Sequence, residues 1–169
     1  AENAILGAIQ WMLTLPLGIG SLIMGSLYAP TVVTGIHQMY TAIDIGQIAK
    51  YGVTYWLPLA SAANVAQGAA ALAVLLKTKN SKLRQLAIPA AISGLFGGTS
   101  EPALYGISVK MKKPLYATII GATVAGIYAG IVHLKVFAFG LFSVVGIPGY
   151  YSAKYSSNLQ HAIITAALA

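Results

Sequence analysis

A glycine-rich break at residues 97–102, with the sequence GGTSEP, carries the last acidic residue of this chain, Glu101. The nearest acid before it is Asp44, and apolar stretches lie on both sides. Basic residues bracket segment 85–109, before it at Lys77, Lys79, Lys82 and Arg84 and after it at Lys110, Lys112 and Lys113. Because short basic loops tend to stay on the cytoplasmic side of a membrane, this segment should enter and leave by the same face. We therefore predict a re-entrant hairpin.

The depth of this hairpin makes Glu101 a candidate site residue. Each limb has about 12 residues and would reach about 18 Å as helix, roughly half of a hydrocarbon core. The tip then lies near the midplane, where ionisable groups are costly unless they serve a site. Pro102 suits the first turn of the second limb, and the positive end of that helix would partly offset the desolvation of the Glu101 carboxylate.

The composition predicts an all-α integral membrane protein, a polytopic helical bundle. Hydrophobic residues make up 57% of the chain and charged residues 8%, with a mean hydropathy of +0.76, far from the values of ordinary soluble domains. The net charge of +7 is explained better by cytoplasmic loops than by nucleic-acid binding. With no cysteine and few acids or histidines in any one region, we predict no disulfide, no metal site and no cofactor.

The remaining apolar segments divide the chain into membrane pieces. We predict spans over 5–29, interrupted at Pro16, and over 57–76 and 114–134, whereas 31–48 is too polar to face lipid. Segment 136–147 is about half a span, and the polar loop after it predicts either a membrane-surface turn or a second re-entrant piece. The last residues begin another helix. The chain has no initial Met and stops in an apolar run, so we expect a piece of a longer polypeptide.

The residues around the break suit a neutral polyol. A carboxylate accepts up to four hydrogen bonds, so Glu101 can bind two neighbouring sugar hydroxyls, with Thr99 and Ser100 as donors beside it. A neutral imidazole at His37 offers one donor and one acceptor, and Gln38 adds an amide. The alternative is that His37 only packs helices together.

Other polar residues leave two interpretations open. Asn64 and Gln67 are three positions apart, hence on one helix face, and either line the site or lock two helices together. We expect Asp44 to pair with Lys50 near an interface. Trp56 fits either an interfacial belt or a sugar platform. His133 is near the end of segment 114–134, and we expect it at the membrane boundary.

Four motifs resemble one family over essentially the whole chain. They are GIH at 35–37, ANVAQG at 63–68, GTSEPALYG at 98–106 and HLKVFAFG at 133–140. Together they resemble the membrane subunit, enzyme IIC, of the bacterial phosphoenolpyruvate-dependent sugar phosphotransferase system. Within it the chain is most similar to the glucose superfamily, in the sucrose, trehalose and β-glucoside branch. The chain departs from the family pattern at Thr99, where an isoleucine is usual, and at Gln38, where a second histidine is common.

The resemblance implies a sugar permease of the bacterial cytoplasmic membrane, in which Glu101 and His37 hold the sugar. It implies that residues 1–169 are the C-terminal portion of enzyme IIC, without a IIA or IIB domain. The implied partners are a disaccharide or glucoside, a phosphocysteine IIB domain, the lipid bilayer, and a second copy through N-terminal helices that this sequence lacks. Glu101 would orient the sugar hydroxyl that accepts the phosphoryl group or take its proton.

Two other classes of function compete with this interpretation. A secondary sugar transporter would use Glu101 or Asp44 to couple transport to protons, without phosphorylation. A sensor on the same scaffold would bind sugar without moving it.

Overall fold

The computed structural model describes residues 2–13, 15, 18–140, 142–152, 155 and 157–169. The helices of this part are, in chain order, α1 Glu2–Leu13, α2 Ile19–Val33, α3 Met39–Tyr51, α4 Leu57–Lys77, α5 Ser81–Ile92, α6 Glu101–Ala103, α7 Val109–Met111, α8 Lys113–Ile131 and α9 Asn158–Leu168. Tighter 3₁₀ turns cover Ile36–Gln38 and Val144–Tyr150, and wider π-helical turns cover Ser93–Gly97 and Leu104–Ser108. The described residues form no strand beyond a single bridge between Thr54 and Val136.

The predicted all-α membrane fold is confirmed. By length and composition, α4 and α8 can each cross a membrane, and α2 with residues 36–51 forms a pair bent by 116° that would make a third span. The spans predicted over 57–76 and 114–134 correspond to α4 and α8. Since a span needs about 20 apolar residues, both helices meet the requirement with little to spare.

The first predicted span is wrong, because two helices occupy it. α1 ends at Leu13 and α2 begins at Ile19, while Pro16 lies outside the described residues. Gly18 precedes α2 with a positive φ of 69°, a conformation that glycine adopts at no steric cost. A side chain there would also meet the Ile127 carbonyl oxygen at 2.7 Å. The backbone at Gly18, just before α2, therefore lies against α8.

The predicted polar piece over 31–48 is divided in the same way. α2 continues through Pro30 and ends at Val33, and Gly35 then adopts a φ of 77° before the 3₁₀ turn and α3. The chain turns sharply here, because a left-handed residue ends the run of helical hydrogen bonds. The turn places residues 36–38 beside the tip of the hairpin.

Small residues let α4 and α8 pack closely with their neighbours, as expected for membrane helices. α4 is buried along most of its length. On α8, a Cβ at Gly130 would lie 2.6 Å from Ser21 Oγ, and one at Gly126 would lie 3.1 Å from Ser21 O. α2 and α8 thus approach with backbone almost in contact.

The helical hairpin predicted over 85–109 is present with longer limbs. Its first limb starts at Ser81 and its second ends at Met111. An alanine-rich cluster joins the limbs to α4, consisting of Ala71, Ala87, Ala90, Ala91, Ala103 and Ile107. Gly94 lies directly on Gly68 of α4, where an added Cβ would be 2.6 Å from the Gly68 Cα. The hairpin is therefore fixed to α4. Its re-entry into the membrane stays a prediction.

Segment 136–150 folds against the hairpin tip. The Ser143 hydroxyl donates to the Phe96 carbonyl at 3.0 Å, and a Cβ on Gly98 would lie 2.9 Å from Phe142 N. At the other end of this segment, Asn158 Nδ2 donates to the carbonyls of Lys135 and Tyr150, both at 2.7 Å. The half-span thus covers the irregular tip, which is what such backbone needs in lipid.

Candidate functional site

The tip is a short irregular turn between two π-helical turns. Gly98 has a φ of 71° and reverses the chain, and the Thr99 N–H donates back to the Ser93 carbonyl at 3.2 Å. Glu101 then opens α6, with Pro102 in its first turn. Wide helical turns of this kind are rare and occur frequently at functional sites. Here they place the acid at the start of the second limb, as the sequence predicted.

His37 meets Glu101 across this tip. His37 Nε2 lies 3.2 Å from Glu101 Oε1, with side-chain exposures of 14% and 39%. The 3₁₀ turn after Gly35 carries the imidazole to the acid, although the two residues are 64 positions apart. The structure therefore brings together the two residues singled out from the sequence, and the carboxylate keeps an open side.

Gln38 competes for the same imidazole nitrogen. Its Nε2 lies 3.0 Å from His37 Nε2. An ionised carboxylate only accepts hydrogen bonds, so the contact with Glu101 requires a proton on His37 Nε2, whereas donation from Gln38 requires that nitrogen to be unprotonated. With an ionised Glu101, the two hydrogen bonds therefore cannot form at the same time. Glu101 has at most one of its acceptor positions filled by His37, and the others remain for a ligand.

A cavity of about 210 Å³ opens beside this pair. The predicted site residues that line it are Glu101, His37, Gln38, Asn64, Thr99 and Ser100. Gln67 does not line it. The side chain of Gln67 is fully buried, and its amide atoms have no hydrogen-bond partner in the described part of the chain. The cavity is smaller than the roughly 300–1,000 Å³ usual for pockets that enclose a drug-sized ligand.

Sequence reasoning missed several lining residues. They are Tyr28, Tyr40, Thr41, Ala60 and Phe142. The signal for Tyr40 was its position three residues after His37 on a helical segment, which puts both on one face. Tyr28 and Phe142 come from distant parts of the chain and carried no local signal.

Trp56 lies behind the cavity and not in it. Its ring is 1% exposed and packs 4.3 Å from the Tyr40 ring, centroid to centroid. Tyr28 extends the cluster, 5.9 Å from Tyr40. This geometry fits neither an interfacial belt nor a sugar platform for Trp56. Instead Trp56 supports the aromatic side chains that do line the cavity.

Asn64 fulfils both interpretations that the sequence left open. It lines the cavity, and its Nδ2 donates to the carbonyls of Gly98 at 2.9 Å and of Phe142 at 3.0 Å. One amide group thus fastens α4 to the tip and to the covering segment at once. We call this arrangement the Asn64 clamp.

The expected Asp44–Lys50 pair is wrong. Residues six apart on a helix point in widely different directions, and the fully buried Asp44 instead accepts a hydrogen bond from the Thr54 hydroxyl. The same Thr54 oxygen accepts from the Trp56 N–H at 3.1 Å. Lys50 lies over the Tyr51 ring, 5.1 Å from its centroid. Asp44 therefore supports the turn that begins α4.

His133 is exposed just after α8 with a φ of 47°, and its place at the membrane boundary stays a prediction.

Comparison with known proteins gives consistent matches. The family model described as "Phosphotransferase system, EIIC" matches residues 1–126. The sucrose-specific EIIBC component of Bacillus subtilis (strain 168) is 40% identical over 153 residues, covering 89% of this chain and 32% of the relative. That of Pasteurella multocida (strain Pm70) is 33% identical over 166 residues, covering 96% and 34%.

A relative that is named for a different sugar matches as well. The trehalose-specific EIIBC component of Escherichia coli (strain K12) is 38% identical over 138 residues, covering 82% of this chain and 28% of the relative. The chain thus spans about a third of the length of these relatives. No solved structure matches it significantly.

Proposed function

Because this chain belongs to the phosphotransferase system EIIC family, membrane proteins of the bacterial cytoplasmic membrane, we propose that it forms the sugar-holding portion of a permease that phosphorylates its sugar during transport. The Glu101–His37 pair carries this proposal. A carboxylate with open acceptor positions and an imidazole beside it are suited to a neutral ligand rich in hydroxyl groups. Thr99 and Ser100 supply hydroxyls on the same wall of the cavity.

The proposed substrate is a disaccharide or glucoside. Two of the relatives are named for sucrose and one for trehalose, and both sugars are neutral. The cavity of about 210 Å³ would surround one sugar ring better than two. We propose that segments of the polypeptide outside this chain complete the site around the second ring.

The phosphoryl donor must come from elsewhere, because this chain has no cysteine. We propose that a phosphocysteine IIB domain transfers the phosphoryl group from its sulfur to a sugar hydroxyl, so that the sulfur–phosphorus bond breaks as the oxygen–phosphorus bond forms. Phosphoryl transfer depends chiefly on position and charge stabilisation. Glu101 would orient the accepting hydroxyl by hydrogen bonding, or would also take its proton. Pairing of two copies through the rest of the polypeptide is also part of this proposal.

The test is sugar phosphorylation by membranes that contain the complete polypeptide. Phosphoenolpyruvate and the general phosphotransfer proteins are supplied with sucrose, trehalose and β-glucosides in turn. We expect one sugar to be phosphorylated and the product to disappear with Glu101→Ala, while Glu2→Gln, a change of charge far from the tip in sequence, retains activity. Glu101→Gln separates the roles, because a ligand role predicts lost binding and a base role predicts retained binding without product.

Two other outcomes of these assays would favour a different class of function. Uptake that needs a proton gradient but no phosphoenolpyruvate would contradict the proposal and favour a secondary transporter. Sugar binding with neither uptake nor phosphorylation would favour a sensor.

A further inference from the structure

A groove between the ends of α4 and α8 takes no part in the proposed sugar chemistry. Its volume is about 430 Å³, within the range of ligand pockets. Ala73, Val74 and Ala117 contribute to its apolar wall, and Lys77 and Lys113 lie at its rim. The sugar-site cavity has entirely different lining residues, so the groove is a separate feature. We call it the Lys77–Lys113 groove.

The groove opens at one face of the membrane. α4 ends at Lys77 and α8 begins at Lys113, and these are the two helices that each qualify alone as spans. Both basic ends therefore lie on the same side, which the positive-inside tendency assigns to the cytoplasm. With this topology the lysines would lie at the level of the inner headgroups, and the apolar wall would extend from there toward the acyl region.

The charge at the rim is not neutralised by the protein. In the described part of the chain the single ion pair joins His37 and Glu101, so neither rim lysine has a carboxylate partner. The groove is also flanked in sequence by further basic residues, Lys79, Lys82, Arg84, Lys110 and Lys112. Basic pockets between membrane helices on the cytoplasmic side suit anionic headgroups. The wall and rim together match a molecule with an apolar chain and a negative head.

We propose that the Lys77–Lys113 groove binds an anionic glycerophospholipid of the cytoplasmic leaflet. One acyl chain lies against Ala73, Val74 and Ala117, and the phosphate lies between the two lysine ammonium groups. The lipid bridges α4 and α8, and α4 is the helix that carries the Asn64 clamp. The proposal goes beyond the proposed function and does not depend on which sugar is transported.

Lipid binding by the complete polypeptide tests this proposal. Phosphatidylglycerol and phosphatidylcholine with identical acyl chains are titrated against the purified protein, and bound lipid is counted by native mass spectrometry. We expect a preference for phosphatidylglycerol. A lysine near an anionic lipid contributes about 1 kcal/mol, so Lys77→Gln with Lys113→Gln should lower the affinity by about 30-fold.

Two matched variants separate the groove from general attraction to a basic surface. Lys79→Gln with Lys82→Gln removes the same number of positive charges close in sequence to Lys77, from residues that do not line the groove, and should retain most of the affinity. Ala73→Phe with Ala117→Phe keeps every charge but fills the groove, and should abolish the preference. Both alanines are exposed, so the larger side chains need not disturb the core, and thermal unfolding of each variant verifies this.

Any of the following five results would overturn the proposal. The first is equal affinity for the two lipids, and the second is an equal loss in the control lysine pair. The third is an unchanged preference in the filled groove. The fourth is displacement of the lipid by millimolar inorganic phosphate, which would assign the lysines to a free anion. Loss of sugar phosphorylation in Lys77→Gln with Lys113→Gln, with lipid preference intact, would instead assign this face to a protein partner.

Discussion

Replacing Asn64 by leucine should release the hairpin tip while leaving α4 intact. Leucine has the same branching and the same number of side-chain heavy atoms as asparagine, and a high helix propensity, but it cannot donate to the carbonyls of Gly98 and Phe142. Hydrogen bonds between membrane helices contribute about 0.6–1.7 kcal/mol each. Losing two therefore costs about 1–3 kcal/mol, which raises the population of an open tip roughly 5- to 150-fold.

A buried reporter at the tip measures this opening. Ser100 is 4% exposed, and this chain contributes no native cysteine. Ser100→Cys is made in the complete polypeptide after cysteines outside this chain are changed to serine. Labelling of the introduced thiol by a membrane-permeant maleimide should accelerate by about the same 5- to 150-fold when Asn64→Leu is added, provided that reclosing is fast relative to labelling.

Gln67→Leu is the matched control on the same helix. Its amide makes no hydrogen bond in the part of the chain that the structure describes, so this change should leave labelling unchanged and should not lower stability. An equal acceleration from both substitutions would mean that any apolar change in α4 loosens the tip. An unchanged rate with Asn64→Leu would refute the clamp.

Three further changes test the packing around the site. Gly94→Ala should destabilise the protein by about 1–3 kcal/mol, because its Cβ would collide with α4 backbone, whereas Gly106→Ala, with no atom within 4 Å of its Cβ, should be tolerated in the same thermal unfolding assay. Thr54→Val should cost about 1–3 kcal/mol in that assay by removing the side-chain hydroxyl that donates to the buried Asp44, and Thr54→Ser should retain most of the stability. Tyr105→Phe removes a 2.9 Å hydrogen bond to a carbonyl of α2 and should cost about 1 kcal/mol. An unchanged unfolding midpoint would contradict the corresponding contact in each case.

Site residues could be predicted from the sequence where a side chain differs chemically from its apolar surroundings. Glu101 is such a residue, since an isolated acid in an apolar hairpin is costly without a role, and the hairpin around it was located from the glycine-rich break and the basic residues on both sides. The long spans followed from length and hydropathy. His37 was a candidate from the hydrogen-bonding capacity of its imidazole, the family motifs agreed with that choice, and the structure places it in contact with Glu101.

The rest depended on contacts that leave no local pattern. In the sequence Gly18 is indistinguishable from other glycines of membrane helices. Only the structure shows its left-handed backbone conformation and its contact with α8. Phe142 looks like one apolar residue among many, yet its carbonyl accepts from Asn64 across 78 positions. Gln67 resembles Asn64 in sequence, and only the packing of α4 puts one on the cavity and the other in the interior.

The Asn64 clamp also sets an order of assembly. Asn64 is synthesised 34 residues before Gly98 and 78 residues before Phe142, so α4 enters the membrane with an amide whose acceptors do not yet exist. The hairpin can settle on α4 through its glycine contact as soon as it emerges. Its tip carbonyl then has a donor, but the covering segment arrives later still. A nascent chain halted before Phe142 would hold the hairpin and the Glu101–His37 pair without the segment that covers them, so the cavity beside this pair forms only after that segment is synthesised.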